Sequence, residues 1–255
     1  MSESGSSLSW YLDPLVAAQK RSEHQKLIRD WAGESFSGHV LKTDLFEEAY
    51  GSDRILFDLF ASASRVTGID IEFSTVQKAM VNCPLPSARF LTTDLRQFAI
   101  QSASVDLIVS NSTLDHFETR AEFEAAVAQI AGVLRPGGLL IITMDNPWNP
   151  LYHLLRWSCR LRRWPFALGY TTSAPQLRQS LERAGLRVEA TAELIHNPRL
   201  VSTVLFLALR KLLGRYADAP VRLLLALFAL LGRLPTRSFT ACFVAAAARR
   251  PAGRE

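Results

Sequence analysis

The chain is expected to fold as an α/β protein: a doubly wound, mostly parallel sheet of about seven strands, with a helical apolar insertion before the last strand. Three observations predict it. Short apolar runs rich in branched residues, such as VDLIVSNS (105–112) and GGLLIITMD (137–145), recur along the chain and read as buried strands. Each is followed by sequence of helical character, an alternation that demands parallel strands covered on both faces. With 255 residues and 48% hydrophobic composition, the chain can bury a full-sized core and carries no compositional sign of disorder.

From the N-terminus, the first nine residues read as a flexible lead, and 12–32 as a helix interrupted near its start by Pro14. HVLKT (39–43) is the first strand, SRVTGIDI (64–71) the second and ARFLTTD (88–94) the third, with 105–112 and 137–145 as the fourth and fifth. Helices are expected over 49–60, 74–81, 118–134 and 174–184. The last of these has clear punctuation: Thr172 or Ser173 to cap it, Pro175 in its first turn and Gly185 to end it. LRVEATAEL (186–194) alternates sides across Leu186, Val188 and Ala190. FTACFVAAAA (239–248) reads as a final strand, although its alanines leave helix open. The organisation expected is an N-terminal helical cap segment (1–37), a doubly wound core (38–195), an apolar, basic helical insertion (196–237) and a last strand (238–248) completing the core.

Composition narrows the function classes. Three widely spaced cysteines and no CxxC argue against a secreted disulfide scaffold, so a cytoplasmic setting is expected. Five histidines, none in an HExxH arrangement, predict no metal site. The start MSESGSSLSW lacks a basic lead followed by an apolar core, so no signal peptide is indicated.

In a sheet of this kind ligands gather beyond the C-terminal ends of the strands. Asp70 ends the second strand and can accept hydrogen bonds from both hydroxyls of a ribose; it equally suits the first turn of the next helix. Asp94 follows the third strand, where it can meet an exocyclic base amine with Leu95 flanking the ring, or simply close a turn. SNSTLDHF (110–117) after the fourth strand supplies Asn111, Ser112, Asp115 and His116. DNPWNPLYHLLRW (145–157) after the fifth supplies Asp145, Asn146, Trp148 and Tyr152, an aromatic approach that Tyr170 could join and that suits a flat or greasy acceptor.

These segments resemble the class I S-adenosylmethionine-dependent methyltransferases. RVTGIDIEFSTVQKA looks like that family's second strand and acidic ribose motif, FLTTDLRQF like its adenine segment, and VDLIVSNSTLDHF with IAGVLRPGGLLIITMDN like its fourth strand, helix and fifth strand. The resemblance implies S-adenosyl-L-methionine as cofactor, with Asp70 and Ile71 at the ribose, Asp94 and Leu95 at the adenine, and Asn111 close by. VLKTDLF takes the register of the family's glycine-rich VLDxGxG run, so Lys42 stands where an acid is typical and Asp44, Leu45 and Phe46 cross the glycine positions. The first loop is therefore read as altered: Asp44, Glu47 or Glu48 is expected to face the donor's ammonium, with Lys42 or Thr43 assisting its carboxylate. Methyl transfer to oxygen or nitrogen can need a base; His116 is the candidate, with Asp115 orienting or replacing it. Tyr11 and His24 are expected to close over the site from the N-terminal segment.

The insertion departs from a minimal family member. LVSTVLFLALRKLL and VRLLLALFALLGRL read as helices broken around ADAP (217–220), each with too short an apolar core to span a bilayer. They are read as core helices, as a homodimer interface, or as a membrane-surface element carrying Arg210, Lys211, Arg215, Arg222 and Arg233 toward phosphate head groups. The last reading favours a small hydrophobic or lipid-like acceptor and a peripheral position on the inner membrane face. Nucleic acid is disfavoured: the basic residues are interspersed with leucines, and RLRRWPF (160–166) is a short cluster of the kind that ends a solvated helix. The expected activity is methyl transfer to that acceptor; the alternative is a noncatalytic methyltransferase-like scaffold.

Overall fold

The computed structural model, which describes residues 13–51, 53–97, 100–160, 169–198 and 201–252, places seven strands in one sheet. In chain order they are β1 (His39–Lys42), β2 (Arg65–Asp70), β3 (Ala88–Thr92), β4 (Val105–Asn111), β5 (Leu134–Asp145), β6 (Arg187–Leu194) and β7 (Phe243–Arg249). Across the sheet the order is β3-β2-β1-β4-β5-β7-β6. The first five are parallel, and β7 runs antiparallel between β5 and β6. The order reverses between β1 and β4, which opens a crevice beyond their C-terminal ends.

The helices are α1 (Pro14–Ala32), α2 (Phe46–Ala49), α3 (Ile55–Leu59), α4 (Phe73–Asn82), α5 (Arg120–Val133), α6 (Pro150–Arg160), α7 (Ala174–Arg183), α8 (Val201–Leu213), α9 (Asp218–Leu231) and α10 (Arg237–Thr240). One sheet face is covered by α5 and α7, through Phe123, Val127, Ile130, Leu177 and Leu181. The other is covered by α1, α3 and α4, through Leu27, Ile28, Leu56, Phe57 and Val76. The alanines of β7 divide between the two: Ala246 and Ala248 join the first cluster, Ala245 and Ala247 the second. That alternation, with ladder partners on both sides, decides strand over helix for this segment.

Several boundaries differ from expectation for local reasons. Pro14 does not interrupt α1 but begins it, where a missing N–H is harmless, and the Asp13 carboxylate accepts from Leu15 N at 2.8 Å. The single helix expected over 49–60 is two short ones, α2 and α3, because Leu56 N is bonded by the Glu48 side chain at 2.9 Å across the turn between them. ADAP lies largely within the first turn of α9, and the break falls at Gly214–Tyr216. Ser173 is the residue that caps α7, in a capping box with Gln176, and Gly185 turns the chain with φ +83°. The expected flexible lead, Tyr11, and most of RLRRWPF lie outside the described residues.

The insertion is not a core element. Only Ser202 and Phe206 of α8 and Val221 and Leu225 of α9 are buried. Phe206, Val221 and Leu225 pack with Leu15 and Val16 of α1, and Arg210 binds Asp13 (2.6 Å) and Asp218. The hairpin thus docks on the N-terminal helix, while Val204, Leu212, Leu223, Leu227 and Leu230 face outward. No helix among the described residues is long and apolar enough to cross a membrane.

Candidate functional site

The strand ends around the crevice carry the predicted residues. Asp70 and Asp94 are brought together: Asp70 pairs with Thr92 across β2 and β3, two residues before Asp94, and Thr93 N donates to Asp70 O at 2.9 Å. The Asp70 carboxylate stands between the first loop and its own turn, accepting from Leu45 N (3.0 Å) and Glu72 N (2.8 Å). Burial pushes its pKa up, against those two donors. A carboxylate offers about four acceptor sites, so a half-buried Asp70 keeps capacity for a diol. Ile71 beside it is 67% exposed, an apolar platform at the rim.

Asp94 is clamped. Arg96 reaches it through Nε and Nη2, and through its backbone N, at 2.6–3.0 Å. Arg96 in turn binds Glu122 (2.5 Å) and lies over the Phe117 ring. The Arg96 hydrogen bond holds the Asp94 carboxyl below its usual range. A base amine would meet an acceptor already filled, unless Arg96 swings away. Leu95 is buried beneath.

The first loop is built on a buried ion pair. Lys42 is 1% exposed and turns inward, its Nζ donating to Glu48 Oε2 (2.8 Å) and Asp44 O (2.5 Å). Burial alone would lower the Lys42 pKa; the charges of Glu48 and Asp44 raise it. Lys42 is therefore placed as an internal brace and not beside the crevice. Asp44, half-buried, caps the turn through Phe46 N (3.0 Å). Leu45 fills the space over Gly68, where an added Cβ would come within 2.6 Å of its side chain. Bulk at the expected glycine positions is thus accommodated by a glycine on the neighbouring strand. Thr43 is buried, its hydroxyl 3.0 Å from those of Ser110 and Thr113.

At the end of β4, Asn111 accepts from the Thr143 hydroxyl. Ser112 holds φ +50°, unusual for a residue with a side chain, and its Oγ is buried without a hydrogen-bond partner among the described residues. Strained, unsatisfied polar groups of this kind concentrate where ligands bind, and the crevice chemistry (the Asp70 carboxylate, an apolar rim, an orphan hydroxyl) fits a nucleoside-bearing methyl donor.

The predicted catalytic pair separates. Asp115 is buried and its Oδ2 accepts from Asp145 N at 3.1 Å, tying the end of β5 in place, whereas His116 is exposed on the surface. The acceptor candidates divide likewise. Asn146 is consumed in structure, donating to Ser238 O (2.7 Å) and Ala241 O (3.0 Å) and accepting from Trp148 N. Tyr152 is 2% exposed, Asp145 is buried, and Tyr170 packs on Phe123 with centroids 5.5 Å apart. Trp148 remains open, stacked on exposed Phe239.

Sequence reasoning offered Glu48 only as a partner for the donor's ammonium, not for Lys42, and passed over Asp53. Both lie in one acidic stretch around a lone strand-end lysine, and a buried lysine needs a carboxylate; that was the available signal. Asp53 meets His24 of α1, Nδ1 to Oδ2 at 2.7 Å, both nearly fully buried.

A methyltransferase domain model matches residues 47–142. A probable S-adenosylmethionine-dependent methyltransferase of Mycolicibacterium smegmatis is 29% identical over 163 residues, covering 60% of this chain and 54% of that one. The chain thus spans about half the length of the curated relatives it matches. Among solved structures, the N-methyltransferase NodS of Bradyrhizobium japonicum with S-adenosyl-L-homocysteine aligns with TM-score 0.57 and 18% identity over 96% of this chain and 93% of that one. The cyclase SpnF aligns with TM-score 0.59 and 19% identity over 90% and 80%. At such identities these structures speak to the fold.

Proposed function

We propose that this chain is a class I S-adenosylmethionine-dependent methyltransferase and that it transfers a methyl group from S-adenosyl-L-methionine to a small hydrophobic or lipid-like acceptor. The observation that carries the donor half is the half-buried Asp70 carboxylate, which keeps acceptor capacity at the end of β2, next to β1 at the switch in strand order. The donor supplies an activated methyl on a sulfonium; the protein's part is to align it and exclude water. Asp70 would take the ribose hydroxyls, with Ile71 at the rim. The first loop serves as a divergent but working wall, its backbone fixed by Lys42–Glu48 and by Leu45 N on Asp70.

The acceptor half rests on the apolar surface. Val204, Leu212, Leu223, Leu227 and Leu230 are 48–79% exposed, and Lys211, Arg215, Arg222 and Arg233 are exposed among them. Apolar residues with interspersed cations suit an anionic lipid surface. We propose a peripheral position on the inner membrane face, from which the exposed Trp148–Phe239 stack receives the acceptor.

Calorimetric titration with S-adenosyl-L-methionine and S-adenosyl-L-homocysteine tests the donor site. Saturable binding that Asp70→Ala weakens at least tenfold, about 1.4 kcal/mol, supports it. A flat titration of the wild-type protein selects the rival, a noncatalytic partner-binding protein on the same fold, which the internal engagement of Asp94 and Lys42 favours.

A further inference from the structure

We propose that His24, oriented by Asp53, is the group that takes the proton from a protic acceptor (a hydroxyl or an ammonium) during methyl transfer. The inference rests on the methyltransferase reading above and deepens it.

His24 sits on α1 facing β4 and β5 near Asn111 and Thr143, and β4 is one of the two strands that flank the reversal in strand order. It lines a small cavity with Leu27, Ile28, Val109, Asn111, Ile141 and Thr143. The space matches about one water molecule. The ring is 1% exposed and lies edge-on to Phe243. Nδ1 stands 2.7 Å from Asp53 Oδ2. A carboxylate only accepts, so Nδ1 carries the hydrogen, and in the neutral ring the bare lone pair is on Nε2. Nε2 is buried and has no hydrogen-bond partner among the described residues. Buried polar atoms are overwhelmingly partnered, and leaving one bare costs roughly 1–3 kcal/mol. A bare imidazole nitrogen next to a small cavity that reaches Asn111 at the end of β4 is a base awaiting an acid.

The step balances. The acceptor's oxygen or nitrogen forms a bond to the methyl carbon, and the sulfur–methyl bond breaks with its electron pair left on sulfur. The acceptor's proton passes to His24 Nε2, and the imidazolium is balanced by Asp53. Asp53 is a positioning residue: it fixes the tautomer and stabilises the charged ring. Burial would raise its carboxyl, and the His24 hydrogen bond holds it below the usual value. The charged groups around the pair are Glu23 and Lys20 on α1, and Lys42 and Glu47 from the first loop. Ser110, Asn111 and Thr143, facing from the sheet, carry no charge.

The test has two arms on the full chain. Nitrogen-15 NMR of the imidazole rings, which needs no donor, should show His24 as the Nδ1–H tautomer at neutral pH. An Nε2–H tautomer, or a ring that stays charged to pH 9, overturns the proposal. In the second arm, methyl transfer from tritiated S-adenosyl-L-methionine is measured with 4-octylphenol, which must lose a proton, and with oleate, which need not. His24→Gln should slow the phenol by about 10²–10⁴-fold and oleate far less, while S-adenosyl-L-homocysteine affinity stays within about twofold and certifies the fold. Asp53→Asn should give a smaller loss with a displaced pH profile of kcat, restored in part by Asp53→Glu. Wild-type turnover of oleate alone, or equal slowing of both acceptors, overturns the role of His24. Failure of the wild type to bind either nucleoside sinks the methyltransferase reading instead, and the tautomer spectrum still decides the dyad.

Discussion

Replacing Lys42 by methionine isolates the interaction that stands where a glycine-rich turn was expected. The ammonium donates to Glu48 Oε2 at 2.8 Å and to Asp44 O at 2.5 Å, and Glu48 is fully buried. Without Lys42 the Glu48 carboxylate keeps one described donor, Leu56 N at 2.9 Å. An uncompensated buried charge of this kind costs about 3–5 kcal/mol. At 2–4 °C per kcal/mol for a protein of this size, the melting temperature should fall by roughly 6–20 °C. The second variant, Lys42→Met with Glu48→Gln, removes the stranded charge and preserves an acceptor for Leu56 N. It should recover most of the loss, because a pair removed together is often nearly neutral. Urea unfolding followed by circular dichroism reads both, with an unchanged m-value certifying the comparison. A single variant within about 1 kcal/mol of wild type, or a double variant no better than the single, would refute the claim that this ion pair braces the loop.

The cap and its hairpin give two further expected outcomes. Asp13→Asn keeps a good N-cap for α1 but removes the charge that Arg210 binds at 2.6 Å, and should cost on the order of 1 kcal/mol at pH 7. Burial would raise the Asp13 carboxyl, but Arg210 and the Leu15 N–H hold it lowered from 3.8. A depressed carboxylate stabilises the fold above its unfolded value and loses that contribution as pH falls through the folded one. The gap between variant and wild type should therefore close as pH drops below 3.8, and a gap constant with pH would contradict the ion-pair assignment. For the membrane reading, Leu212→Asp with Leu223→Asp should abolish flotation with vesicles containing phosphatidylglycerol, each exchange being worth on the order of 1–3 kcal/mol of apolar burial. Flotation equal to wild type, in a protein of unchanged melting temperature, would remove the hairpin from contact with lipid.

The sheet was legible because strands covered on both faces must be apolar along their length. VDLIV and LLIIT admit little else, and the capping residues of α7 mark its ends. The crevice was legible too, since a parallel sheet displays along one edge the residues just past each strand, and Asp70 and Asp94 therefore share that edge. Resemblance added the identity of the cofactor, which no single residue pattern here would have supplied.

Linear order could not disclose which polar groups spend themselves on one another. Lys42 with Glu48, Asp94 with Arg96, and Asn146 with the 238–241 backbone all read as plausible ligands along the chain, and each is engaged by a neighbour once folded. His24 and Asp53, 29 residues apart with no shared periodicity, meet only because α1 lies across the sheet beside the loop after α2. Local propensity and hydrophobic pattern arise from the chain's own sequence, so they determine elements and layers. Hydrogen-bond satisfaction in the interior depends on every element that arrives there, and so only the tertiary arrangement decides which side chains are left with a free lone pair.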